Sequence, residues 1–362
     1  MSLVITNADT VATLKSSVTG AHPTGAYAGP ISLTDTVVVR AVADRVGYKS
    51  SEVITHTFLY LDQVPGAAVM NQGIATDPQY AARLRDGLEQ IPSISIAVGD
   101  QNAAEAYIEQ PSSVEVFFPD SGRSVQVDAG FFRYGGAYTT FSKKNYRLKF
   151  RREYGPPKWE EPLFTGFERG TNLAKAVDEI DLRGGGHDMS QRGFYMSSAF
   201  VEDSMLDMGS LNPRGRFMHI YFNGTYWGVF HVHERLIADF LAETLGGKTS
   251  DYFNIRGNDN AGSNFVLGTP APIHRASWDR ILGHLGDYQS QKPYVDMDNL
   301  IDICLLWYYG NCESEYRSAS SVEAGSGAKF WLADPDGFLR ATAKNTTNVG
   351  PAGLFGALVN EG

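Results

Sequence analysis

From Ser2 to about Leu61 apolar and polar positions alternate over short stretches, as in Thr36-Val37-Val38-Val39-Arg40-Ala41-Val42-Ala43, and Gly, Pro and Asp stand between them. A period of two broken by turn residues predicts short strands in an all-β unit. The period then changes. Tyr80, Leu84 and Leu88 recur at helical spacing, and Pro92 closes that helix near Gln90. Alternation returns at residues 93–98, 113–118, 129–133 and 145–150, with the loop Tyr134-Gly135-Gly136-Ala137 between the last two. Phe194, Val201, Met205 and Met208 predict an amphipathic helix over residues 190–208, capped by Asp188 or Ser190. Two strands at residues 219–222 and 226–233 flank Asn223-Gly224, the strongest short-range hairpin signal. A helix is expected from Leu236 to the Gly246-Gly247 stop, another over residues 298–309, and a last strand over residues 329–332.

A chain of 362 residues exceeds what one core organises, so two or three domains are expected. The net charge of -10, with scattered basic residues, opposes a general nucleic-acid binder. No run of eighteen apolar residues exists, which argues against a membrane span. Met1-Ser2-Leu3-Val4-Ile5 lacks the basic start of a signal peptide, so either the protein is cytoplasmic or its true N-terminus lies upstream. The two cysteines, Cys304 and Cys312, are eight residues apart. On a helix that is about 12 Å, beyond the ~7 Å reach of a disulfide, so no disulfide framework is expected. His231 and His233 alternate on one strand face, but without a Cys or a HExxH spacing zinc is not expected. No GxSxG-type nucleophile signature is present either.

Gly25-Ala26-Tyr27-Ala28-Gly29-Pro30-Ile31, Val39-Arg40-Ala41 and Ser50-Ser51-Glu52-Val53 together resemble the Ig-like module called the chitobiase C-terminal or fibronectin-III-associated domain. That resemblance implies an extracellular, glycan-associated setting; a passive spacer is the other reading. Five further pieces follow in order. They are Lys144-Asn145-Tyr146-Arg147-Leu148-Lys149-Phe150 with Glu153-Tyr154-Gly155; Leu182-Arg183-Gly184-Gly185 with Asp188 and Arg192; and Ile220-Tyr221-Phe222-Asn223-Gly224-Thr225-Tyr226-Trp227-Gly228 leading to Glu234. Then come Val295-Asp296-Met297-Asp298-Asn299-Leu300-Ile301-Asp302, and Tyr309-Gly310-Asn311 with Asp334. These resemble the CotH family of atypical, spore-coat-type kinases.

The resemblance implies an α+β, bilobal protein-kinase-like fold, with an antiparallel-sheet small lobe and a mainly helical large lobe, behind an N-terminal all-β Ig-like sandwich. The expected division is 1–61 for the Ig-like module, 62–110 for a connecting segment and the start of the small lobe, 111–234 for the small lobe, and 235–362 for an incomplete large lobe. It also implies ATP and Mg²⁺, or Mn²⁺ in its place, a protein substrate with a Ser/Thr acceptor, and a secreted or cell-surface location. Glycan or another cell-surface polymer is a further partner.

Phosphoryl transfer needs a cation on the phosphates, carboxylates on the metal and a group that orients the acceptor hydroxyl. Arg147 and Lys149 share one strand face and Tyr146, Leu148 and Phe150 the other, so one face packs while the other can hold phosphates. Lys149 is the first candidate and Lys144 the second; a solvated strand face is the competing reading. Gly135 and Gly136 permit close backbone approach to phosphates or simply make a hairpin turn. Glu234 falls at the adenine-side hinge or caps the helix at Leu236. Arg192 binds phosphate or makes an ion pair. Asp334 and Asp336 fall where the family holds its metal, although Asp334-Pro335-Asp336-Gly337 also fits a plain β-turn. The chain departs from the family after Gly310-Asn311, where Cys312-Glu313 replaces aspartate and tryptophan. Glu313 is the remaining acid for the acceptor. That departure keeps two other readings open: a pseudokinase scaffold, and an adhesin whose β-sandwich does the binding.

Overall fold

In the computed structural model the described residues are 1–135, 143–161, 163–164, 176–186, 195–257, 265–266, 279–281, 283, 286–310, 315–321, 327–333, 335, 338–339 and 355. Among the described residues the chain mixes helices with four separate sheets. Six strands come first: β1 (Ser2–Leu3), β2 (Thr13–Ser17), β3 (Gly25–Ala26), β4 (Ile31–Ser32), β5 (Val37–Asp44) and β6 (Ile54–Phe58). They form a four-stranded antiparallel sheet in the order β3-β2-β5-β6 and a two-stranded ribbon, β1-β4.

Two helices, α1 (Gln72–Ala75) and α2 (Pro78–Gln90), connect this unit to the next. The Asp77 side chain accepts from Gln79 N at the start of α2, and Pro78 occupies the first turn, where its missing N–H costs nothing. Seven strands follow: β7 (Ser93–Val98), β8 (Gln110–Phe118), β9 (Arg123–Tyr134), β10 (Asn145–Lys149), β11 (Glu179–Arg183), β12 (Gly215–Phe222) and β13 (Thr225–Glu234). A short helix, α3 (Gln101–Glu105), lies between β7 and β8.

The resemblance leads one to expect an antiparallel-sheet small lobe here. Instead the seven strands close into a barrel, in the order β10-β11-β13-β12-β7-β8-β9. Two pairings produce the closure. The long strand β9 bonds both β8 and β10, and β7 inserts beside β12 in parallel, the one parallel pair in the barrel. The physical reason lies in the alternation. Ile94, Ile96, Val114, Val116, Phe131, Tyr146, Leu148, Ile180, Leu182, Met218, Ile220, Phe230 and Val232 all point inward and fill one apolar core. At the tip of β12–β13, Asn223 (φ 48°) and Gly224 (φ 82°) make the expected tight hairpin.

The remaining elements form a second layer. These are α4 (Ser197–Asp207), α5 (Ala238–Leu245), β14 (Tyr252–Gly257), β15 (Phe265–Val266), α6 (Tyr288–Gln291), α7 (Met297–Gly310), β16 (Glu315–Ser321) and β17 (Lys329–Ala333). The sheet order is β15-β14-β16-β17. Helix α4 begins at Ser197, after a Met196 that makes no side-chain cap, and the candidate caps Asp188 and Ser190 lie outside the described residues. Helix α5 begins at Ala238 rather than Leu236, and Gly246 (φ 85°) ends it. A second core unites Val201 and Met205 of α4 with Leu300, Ile303 and Trp307 of α7 and Phe330 and Leu332 of β17. Thus α4 lies between the barrel and the second sheet. No helix among the described residues is long and apolar enough to cross a membrane. Cys304 is buried and free; Cys312 lies outside the described residues.

Candidate functional site

The inner face of β10, β11 and β13 belongs to the core, so their outward residues are the ones available for chemistry. On β10 these are Arg147 and Lys149, on β11 Glu179, Asp181 and Arg183, and on β13 His231 and His233. Antiparallel register sets Arg147 opposite Asp181, Lys149 opposite Glu179, and Asp181 opposite His233. Side-chain contacts follow that register. Arg147 holds Asp181 through two bonds, Nε to Oδ1 at 2.5 Å and Nη2 to Oδ2 at 2.9 Å, and its guanidinium lies 4.2 Å from the Tyr134 ring. Lys149 pairs with Glu179 at 3.2 Å over the Phe132 ring, and Arg235 reaches the same Glu179.

These pairs change the titration of the groups. Burial pushes the Asp181 carboxyl up, but the charge and hydrogen bonds of Arg147, aided by His233 and Arg235, more than offset it and leave it below its ordinary value. Burial lowers Arg147 while Asp181 raises it, and the net direction is upward. Arg147, Lys149, Arg183 and Arg235 share this surface with Glu179, Asp181 and Glu202 of α4, so cations and acids interleave on one face of the barrel.

At the end of the barrel where β10 begins, a different cation is built. Lys143 lies between two rings, 4.6 Å from the centre of Phe230 and 4.9 Å from that of Tyr195. Its ammonium donates to the Val229 carbonyl and to the Tyr195 hydroxyl, the latter at 3.3 Å. No carboxylate pairs with it among the described residues, and burial lowers its pKa to about 8. Glycines make the space. A Cβ on Gly184 would come within 2.5 Å of the Lys144 carbonyl, and one on Gly185 (φ 68°) within 2.0 Å of the Tyr195 ring. Gly135 (φ 104°) ends β9 at the same rim, and Lys144 adjoins it as the neighbour of Lys143.

Glu234 ends β13 and is not a helix cap. It is wholly buried and points toward the opposite barrel end, where Arg214 grips it by its backbone N–H at 2.9 Å, by Nε at 2.9 Å and by Nη2. It caps no helix, since α5 starts four residues later. The chain itself passes from the barrel to the second layer at this point.

Gly136, Arg192, Glu313, Asp334 and Asp336 lie outside the described residues. Their neighbours are placed. β17 ends at Ala333, and Phe338 is wholly buried with its ring against Gly310 and 5.5 Å from that of Phe200. The Ser197 hydroxyl lies 3.5 Å from the Phe338 carbonyl. Phe338 is thereby anchored at the start of α4, the helix that also faces His231.

Sequence reasoning missed Lys143, Glu202 and the proximity of Glu202 to the histidines. One ring nitrogen from each of His231 and His233 and a carboxylate oxygen of Glu202 lie within 4.8 Å of one another. The alternation of the two histidines was a visible signal; the arrival of α4 over them was not. No curated protein matches the chain. Residues 132–302, from the end of β9 into α7, match the family model described as CotH kinase protein.

Proposed function

We propose that this chain is a CotH-like kinase that transfers the γ-phosphate of ATP to Ser/Thr hydroxyls of a protein substrate. The family match over residues 132–302 carries this reading, and it spans the charged barrel face, α4 and the crossing into the second layer. In the reaction the acceptor oxygen forms a bond to the γ-phosphorus, the bridging bond to the β-phosphate breaks, and ADP leaves while the hydroxyl proton passes to a carboxylate. Lys149 and Arg147 would meet the phosphates, with Glu179 and Asp181 holding them in place. Lys143, with a pKa of about 8, remains mostly protonated at neutral pH and supplies a second cation at the glycine-lined rim. Asp334 and Asp336 would carry Mg²⁺ or Mn²⁺, and Glu313 would orient the acceptor. A kinase-like pair of lobes, with the barrel as the smaller, and a secreted or cell-surface setting belong to the same proposal.

One observation favours a second reading. Glu313 stands where the family pattern has aspartate, which suits a scaffold that binds nucleotide without turnover. Thermal unfolding with ATP, with and without Mg²⁺, separates these readings when combined with transfer of labelled γ-phosphate to a Ser/Thr-rich acceptor. At a hundredfold excess over its Kd, ATP stabilises the chain by about 2.7 kcal/mol. A Mg²⁺-dependent shift that vanishes in Asp334→Ala, together with transfer, supports the kinase; a shift without transfer supports the scaffold. No shift under any condition defeats both.

A further inference from the structure

We propose that His231, His233 and Glu202 form a binding site for one zinc-class divalent metal ion between the outer face of β13 and helix α4. Three observations converge. The first is the donor set, two imidazoles and one carboxylate gathered within 4.8 Å, with His231 Nε2 3.7 Å from Glu202 Oε2. Ligand atoms at about 2.0–2.1 Å around a tetrahedral zinc stand roughly 3.3 Å apart. The observed spacing therefore closes onto an ion with a shift of about 1 Å, within the reach of side-chain rotation. Two imidazoles select zinc and its transition-metal neighbours over Mg²⁺, which takes oxygen donors.

The second observation is the orientation of His233. Its Nδ1 lies 2.9 Å from the Glu234 carbonyl, and a carbonyl only accepts, so Nδ1 carries the proton and Nε2 presents a lone pair. A ligating histidine fixed by a backbone carbonyl through its other nitrogen is the usual outer support of a metal site. The third is the setting of His231. The side chain is buried, and Nε2 is the nitrogen turned toward Glu202. Its ring stacks 5.3 Å from that of His233 and rests against Gly215, where a Cβ would fall 2.4 Å from Nε2. Bare backbone at Gly215 leaves that nitrogen its space. Three protein ligands leave a fourth position for water. An ion here would fasten α4 to the barrel, and through Ser197 would also brace the segment at Phe338.

The test uses the full chain without a histidine tag, stripped with chelator and titrated with Zn²⁺ in the absence of nucleotide, so its outcome is independent of the phosphotransfer reading. Calorimetry and elemental analysis are expected to show one tightly held Zn²⁺ per chain, with affinity at least ~10-fold weaker in His233→Gln and in Glu202→Gln. Zinc bound below one equivalent, or bound equally well by both variants, overturns the proposal. Should a variant fail to fold, X-ray absorption at the zinc edge of the wild-type chain decides: two imidazole ligands support the site, and a shell without them refutes it.

Discussion

The two faces of β10, β11 and β13 are made by the same strands and behave as opposites. Inward, Tyr146, Leu148, Ile180, Leu182, Phe230 and Val232 pack into one apolar core. Outward, Arg147, Lys149, Glu179, Asp181, Arg183, His231 and His233 stand at fixed intervals set by the same pleat. The apolar face places the strands, and the charged face inherits positions it did not have to stabilise. Stability should therefore depend on the inside and ligand chemistry on the outside.

The largest effect is expected inside. Phe230→Ala opens a cavity in the barrel core and should cost about 3–5 kcal/mol in urea unfolding; a loss under ~1 kcal/mol would mean that the core collapses around it. Next comes the one outward pair that behaves as though interior. Asp181→Ala leaves Arg147 without its two-bond partner and should cost about 3 kcal/mol, much of it recovered in the double variant with Arg147→Met. Because the Asp181 pKa is depressed in the folded state, its contribution is present above the unfolded carboxylate pKa and lost as the pH falls through the lower folded value. Asp181→Ala should flatten acid unfolding in that window.

Lys143 lies between the two regimes. Its folded pKa of about 8 is below the ordinary 10.5, so the unfolded chain holds more protons between those values and stability rises with pH across that window. The full cost applies below pH 8, and Lys143→Met should remove a slope of about 1–2 kcal/mol, discounted for the partial exposure of the side chain. If the pH profile is unchanged, the ammonium is better solvated than its ring contacts imply. The smallest stability effect belongs to Lys149→Met, under ~1 kcal/mol for a partly exposed pair. That same variant should lose the ATP-dependent thermal shift if the outer face binds phosphates, so unaltered ATP stabilisation would move the phosphate site toward Lys143.

Much of the local structure was legible before any coordinates. The strand at Ser93–Val98, the helix ending at Gln90, the Asn223-Gly224 turn and the two faces of β10 all follow from period, caps and turn residues. The site was legible only in part. Arg147 and Lys149 could be assigned to a face but not to their partners, because Glu179 and Asp181 are some thirty residues away and arrive through strand pairing. In the sequence Lys143 is only the neighbour of Lys144; Gly184, Gly185 and the rings of Tyr195 and Phe230 distinguish the two. Glu234 could be placed at the end of its strand, but not in the grip of Arg214, which comes from a residue twenty positions away.

By itself the amino-acid order determined which residues lie on which side of each strand and helix, because alternation, capping and turn chemistry act between near neighbours. Tertiary structure alone decided that seven strands close on themselves, that α4 brings Glu202 to His231, and which charges are paired. Those outcomes depend on contacts between distant segments, and a distant contact is selected by the packing of the whole core rather than by any stretch of sequence.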